Sequence, residues 1–316
     1  MITYLVRRIF QAIVVLIGVT FLTFVLAHVI PGGPARAALG SRASPGQIAS
    51  FNAQNGYDLP IWDQLYRYFE GVIVHLNLGY SYKSNQTVTS LIFSRLPKTL
   101  VLLGISTTFA VIVAVPLGIL QVVRRYKPID YVLTALSFIF YAMPAFLLGT
   151  LLILYFAIDL HWFPIAAPNA STVGGLLADP RALVLPVLTL SAITIASFSR
   201  YMRSSMMEAM AEDYIRTARA KGAGSYRVLF RHGLRNALIP IITLLGLSLP
   251  TIVGGALITE TVFNFPGMGL LTTNAALNDD VPLLLGTTLV AAFATVVGSL
   301  IADVLYAVVD PRVRYN

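Results

Sequence analysis

The chain has no cysteine in 316 residues and only four lysines, Lys83, Lys98, Lys127 and Lys221. Without a thiol there is no disulfide, no thiolate metal site and no cysteine nucleophile. None of the lysines closes a Gly-x-x-x-x-Gly-Lys-Ser/Thr loop, the element whose amides and lysine hold nucleotide phosphates, so ATP cannot be bound by that route. The histidines His28, His75, His161 and His232 are scattered, and no His-Glu-x-x-His or Gly-x-Ser-x-Gly occurs. A hydrolase or metalloenzyme is therefore poorly supported. The scarcest feature is charge: 11% of residues are Asp, Glu, Lys or Arg, against about 25% in soluble domains, while 57% are hydrophobic.

Those hydrophobic residues fall in long uncharged runs at 9–27, 99–123, 131–158, 182–199, 237–259 and 281–302. A transmembrane helix needs about 20 mainly apolar residues, so six spans are expected. No series of short alternating strands is visible, and irregular backbone cannot face lipid, so the expected fold is an all-helical polytopic bundle. The first run follows Arg7 and Arg8 as a signal peptide would. It is longer than the 7–15 residues of a signal core and lacks a small-residue cleavage site, so it reads as a retained span.

Basic residues set the orientation, because cytoplasmic loops carry the excess. One set of loops holds Arg7, Arg8, Arg124, Arg125, Lys127, the eight basic residues from Arg200 to Arg235, Arg312 and Arg314; the other holds Arg36, Arg42, Arg67, Lys83, Arg95, Lys98 and Arg181. Fifteen of the 22 basic residues on one side place both termini and Lys221 in the cytoplasm, with Tyr57 and Phe263 outside. The net charge of +8 then follows from topology and anionic lipid, and no soluble basic face remains for nucleic acid. The chain divides into an N-terminal helix (1–30), an extracytoplasmic segment (31–98), a core of five spans (99–309) with a cytoplasmic loop at 200–236, and a tail (310–316). Within the extracytoplasmic segment a short amphipathic helix is expected over 61–75, packing through Tyr66, Phe69 and Val72.

The most informative stretch is that cytoplasmic loop. Acidic Glu212 and Asp213 precede Tyr214-Ile215-Arg216-Thr217-Ala218-Arg219-Ala220-Lys221, whose basic end matches the dipole of a short helix. Gly222 is suited to the left-handed residue that stops such a helix, and Gly224 frees the chain to turn before a second helix near Ser225. There Arg227, Arg231 and Arg235 recur at helical spacing, a stripe that calls for an anionic surface opposite. A loop that merely orients the protein by its charge is the plainer alternative.

This stretch resembles the cytoplasmic loop of ABC importer permeases. Of the general Glu-Ala-Ala…Gly…Ile-x-Leu-Pro pattern only Ala218, Gly222 and Leu234 are kept, but the string RTARAKG…LRNALIP is similar to the variant of the dipeptide, oligopeptide and nickel permease branch. Tyr57-Asp58-Leu59-Pro60, the segment from Leu76 to Ser81, the string from Thr259 to Gly269 and Asp310-Pro311-Arg312 resemble the same branch. The resemblance implies a type I importer permease bundle forming half of a pathway for short peptides or a related solute. It also implies that a coupling helix, Asp213 to Ala223, docks on a cytoplasmic ATPase. Implied partners are a second homologous permease, two ATPase subunits carrying ATP and Mg, and an extracytoplasmic solute-binding protein. This chain itself would bind no cofactor or metal.

Pro144, Gly254, Gly255 and Glu260 are candidates for the translocation path: proline frees carbonyls within a span, small residues let helices approach, and an acid at a span end can bind. Glu260 can equally be an interfacial residue in water, and Asp303 is expected to pair with an interfacial arginine. A secondary transporter or channel is the competing class, but an ion-coupled carrier usually holds carboxylates or histidines deep in its spans, and the middles of these six runs carry no charge.

Overall fold

The computed structural model describes residues 2–28, 33–40 and 42–309. The Asp310-Pro311-Arg312 motif lies outside the described residues.

The first span is α1 (Ile2–His28), followed by α2 (Gly33–Leu39), α3 (Pro45–Asn55) and α4 (Ile61–His75). Local chemistry sets α3: Ser44 and Gln47 form a reciprocal capping box, and Gly56 ends the helix at φ +71°. The amphipathic helix falls at the expected residues, but it packs through Leu65 and Tyr68 while Tyr66 is 68% exposed. A short antiparallel hairpin, β1 (Tyr80–Ser81) with β2 (Gln86–Thr87), leads into the second span.

That span, α5 (Val88–Val123), is 36 residues long and keeps its helix through Pro97 and Pro116. The third is not one straight helix. Pro128–Ala142 (α6) and α7 (Ala145–Leu152), the latter prolonged by wide π-type turns over Ile153–Asp159, meet at an angle of 107° across Met143-Pro144. Pro144 cannot donate to the helix before it, so the chain turns there and restarts. After α8 (Val173–Leu177) come α9 (Arg181–Ala211), α10 (Asp213–Ala220), α11 (Ser225–Arg227), π-type turns over Val228–Gly233, α12 (Leu234–Val262), α13 (Met268–Leu277) and α14 (Val281–Val309). Five helices among the described residues are long and apolar enough to cross a membrane, or six when the bent pair is counted as one span.

The helices α5, α9 and α12 form the centre. Ala114 and Ile119 pack on Phe198, Met202 and Met206, with Ala237 and Ile241 closing the cluster. Gly118 permits the approach, since a Cβ there would lie 2.5 Å from that of Met202. Outside this core, α14 packs on α12 and carries α1 on its flank. Arg8 and Asp303 tie α1 to α14 at 2.9 Å, the arginine pairing expected for Asp303. Apolar residues such as Ile9, Phe10 and Ile13 remain exposed along α1, a surface suited to lipid.

Candidate functional site: the loop helix and the Glu260 clasp

In α10 the short helix is anchored by two side chains only. Ile215 is fully buried and Ala218 nearly so, both against Val228, with Met210 and Ala223 around them. Helical spacing puts Asp213, Arg216, Thr217 and Ala220 on the opposite face. Asp213, Arg216, Thr217, Arg219, Ala220 and Lys221 are all exposed, and Tyr214 is 38% exposed. Asp213 pairs with Arg216 at 3.4 Å, and the Thr217 hydroxyl donates to the Asp213 carbonyl at 3.0 Å. The sequence expectation named Asp213 to Ala223 as one docking surface; the structure divides it into Ile215, Ala218 and Ala223, which anchor it, and an exposed remainder.

Gly222 ends the helix at φ +81°. The Ala223 amide donates to the Ala218 carbonyl at 3.1 Å and the Gly222 amide to that of Arg219 at 2.9 Å, both bonds of a Schellman motif. Ala223 also packs on the Ala218 cluster, the apolar contact that usually accompanies this stop. Beyond it, the π-type turns of Val228–Gly233 change the angular step per residue, so Arg227, Arg231 and Arg235 drift off a single line. All three are exposed, and none forms an ion pair among the described residues.

Just before α10, Arg203 on α9 makes two bonds of 3.1 Å to the Asp130 carboxylate at the start of α6. Asp130 is 2% exposed and also accepts from the Tyr126 amide at 3.1 Å. The helix that carries the loop is thus fastened to the first half of the bent span.

At the far end of α12 stands Glu260, which is fully buried, not in water. The Thr99 hydroxyl donates to Glu260 Oε1 at 2.7 Å, and the Gly269 and Leu270 amides donate to Oε2 at 2.6 and 3.3 Å. Thr99 Oγ1 in turn accepts from the Met268 amide at 2.8 Å. A carboxyl group therefore caps the N-terminus of α13, its Oε2 accepting from amides that have no partner within the helix. A Cβ on Gly267 would lie 2.4 Å from the Glu260 carboxylate, and one on Gly269 would lie 2.3 Å from the Leu257 Cα, so the glycines of Phe265-Pro266-Gly267-Met268-Gly269 are steric requirements. Thr99, Gly267 and Gly269 were missed as a group in the sequence; the acid followed by two closely spaced glycines was the available signal.

Between α5, α6, α7 and α9 lies a cavity of about 330 Å³, mostly apolar, with Gln121, Ser137 and Ser199 in its wall. Pro144 is exposed at the 107° bend, and Phe140 and Leu148 on either side of it line the cavity. Gly254 and Gly255 lie in α12, but their surroundings fall outside the described residues.

The helical bundle and its short projecting helix fit the permease bundle and coupling helix that the sequence resemblance implies. Residues 110–315 match the family of binding-protein-dependent transport system inner membrane components, and residues 1–103 match the N-terminal region of such membrane components. The chain belongs to this family, the permeases of ABC importers. It is 39% identical over 317 residues to the oligopeptide transport system permease protein AppB of Bacillus subtilis and 36% identical over 339 residues to the dipeptide transport system permease protein DppB of Escherichia coli K12, each alignment covering 100% of both chains. The glutathione transport system permease protein GsiC of Escherichia coli O6:H1 is 36% identical over 317 residues, again covering 100% of both. Among solved structures, an amino acid ABC transporter with histidines matches with a TM-score of 0.52 at 18% identity, covering 71% of this chain and 95% of that one, a likeness of fold.

Proposed function

We propose that this chain forms half of the transmembrane path of an ATP-driven importer for short peptides, with a second homologous permease as the other half. Two cytoplasmic ATPase subunits, which carry ATP and Mg, dock on α10, and an extracytoplasmic solute-binding protein delivers the solute. Both termini lie in the cytoplasm. The observation that carries this reading is α10 itself: a short helix fixed by Ile215 and Ala218, stopped by Gly222, with its opposite face free. A rigid projecting helix suits the transmission of a push from a partner into α9 and α12, which flank it in the chain. Peptide is the favoured solute because the relatives named for oligopeptide and dipeptide transport match from end to end. Glu260 contributes at the outer mouth by positioning α13 and not by binding solute, since both its oxygens already accept bonds.

The test is uptake by proteoliposomes holding the complex co-purified from its native membrane. Labelled dipeptide should accumulate only with internal ATP and the binding protein present. Accumulation driven by an ion gradient without ATP would replace this reading with the secondary-transporter one.

A further inference from the structure

A second cavity, of about 240 Å³, lies where the extracytoplasmic segment meets the outer ends of α1 and α14, far in sequence from the coupling loop. Its floor is apolar: Phe24 from α1, Leu78 from the strand approach, and Val281 and Leu285 from α14. Its polar wall comes from Tyr57, Tyr68 and Arg67. Arg67 forms no ion pair among the described residues, and its Nη1 lies 3.1 Å from where a Cβ on Gly56 would stand. Gly56 and Gly79, both in the wall, have φ of +71° and +99°, so the backbone itself keeps this space free of side chains.

The other polar groups of the wall are already engaged. Asn55 accepts from the Tyr82 hydroxyl, Tyr80 donates to Asn85 at 2.6 Å, and Gln64 donates to the carbonyls of Tyr57 and Leu59 at 3.1 and 2.8 Å. The Tyr68 hydroxyl, by contrast, is buried with no partner, and that of Tyr57 makes no hydrogen bond among the described residues. Burial, with Tyr82 and Asp280 nearby, pushes the Tyr57 phenol up to about 12, and burial raises that of Tyr68 as well, so both keep their protons. Asp280, the acid facing Tyr57, does not line the cavity and is held by Ser81 and the Leu283 amide. What remains is one guanidinium and two phenol donors above an apolar floor.

We propose that this cavity binds an amphiphilic anion, with a carboxylate or phosphate head at Arg67 and an apolar body against Phe24, Leu78 and Leu285. The cavity is smaller than the roughly 300–1,000 Å³ of clefts for drug-sized ligands, so it takes one terminal residue or one lipid head with the start of its chain. Two sources share this chemistry: the C-terminal residue of a short peptide, and an anionic phospholipid of the outer leaflet.

The full chain in phosphatidylcholine nanodiscs is titrated calorimetrically with Ala-Phe and with its C-terminal amide, and the detergent-purified protein is weighed by native mass spectrometry for retained phosphatidylglycerol. A peptide source gives saturable Ala-Phe binding, weakened at least tenfold by amidation and by Arg67→Gln, and severalfold by Tyr57→Phe. A lipid source gives phosphatidylglycerol retained by the wild type and depleted in Arg67→Gln. The comparison of peptide with amide uses only wild-type protein, so misfolding of a variant does not blur it. Binding of neither probe, or binding indifferent to both amidation and Arg67, overturns the site. Normal peptide uptake by the complex alongside that result would leave the transport function standing and remove only this proposal.

Discussion

At the scale of single residues, two glycines in one loop make a controlled comparison. An added Cβ meets nothing within 4 Å at Gly222 or at Gly224, yet Gly222 sits at φ +81° and Gly224 at φ −62°. Gly222→Val therefore carries a purely backbone penalty, on the order of 1–2 kcal/mol, that favours letting α10 run on or tilt. Uptake should fall, or ATP hydrolysis should lose its dependence on solute, at normal membrane abundance. Gly224→Val should cost at most about 1 kcal/mol as a poorer helix cap and leave uptake near normal. Equal effects of the two substitutions would refute the role given to the Gly222 stop. At the far end of α12, Glu260→Ala strips two α13 amides and the Thr99 hydroxyl of their acceptor. Leaving such buried donors unpaired should cost on the order of 3 kcal/mol, visible as a lower melting temperature of the purified protein. Gly267→Ala, which drives a methyl into the same carboxylate, should lower it too.

At the scale of elements, the Asp130–Arg203 pair joins α6 to the last turns of α9, directly before α10. Arg203→Ala leaves a buried carboxylate with the Tyr126 amide and the Thr134 hydroxyl but no cation beside it, so α6 should loosen from α9 at the end next to α10. Hydrogen exchange should speed up in the first turns of α6 while the α5–α9 crossing at Gly118 stays protected; unchanged exchange would mean the pair adds nothing to the joint. Elements set by local signals were legible in the sequence. The apolar runs, the helix at 61–75 and the glycine stop at 222 all follow from hydropathy, periodicity or one conformational demand. Elements that depend on distant partners were not. Glu260 looked like an acid in water because Thr99, which buries it, stands 161 residues away in the chain. The bend at Pro144 follows from proline's missing amide, but the same rule fails in the second span, where α5 stays one helix through Pro97 and Pro116, so proline alone does not turn a helix. On α4 the expected Phe69 and Val72 are half-buried but Tyr66 is exposed, and Tyr68 packs against Phe24 in its place, a choice between two aromatic residues that depends on a neighbour from another helix.

At the scale of the molecule, the basic asymmetry of the loops argues that the end of the bundle bearing α10 faces the cytoplasm. The fold also corrects how to test it. Phe263, a natural outer position from sequence, is 1% exposed, and Tyr57 lies half-buried in the cavity wall, so neither suits a surface label. Lys83 on the hairpin turn and Leu277 at the end of α13, the latter 78% exposed, are accessible on the opposite end from Lys221. Because the chain has no cysteine, each can be replaced singly without background. In sealed cells an impermeant thiol reagent should label Lys83→Cys and Leu277→Cys, and should label Lys221→Cys only after the membrane is opened. Lysis should reveal one further change if α10 is a docking surface. Adding back the purified ATPase subunits should then shield Lys221→Cys from the reagent while leaving the outer two unchanged. Labelling at position 221 from outside would invert the molecule, and with it the placement of the coupling loop. Labelling at 221 after lysis that stays indifferent to the ATPase would keep the orientation and remove the docking, reducing the loop to a basic segment that only sets topology.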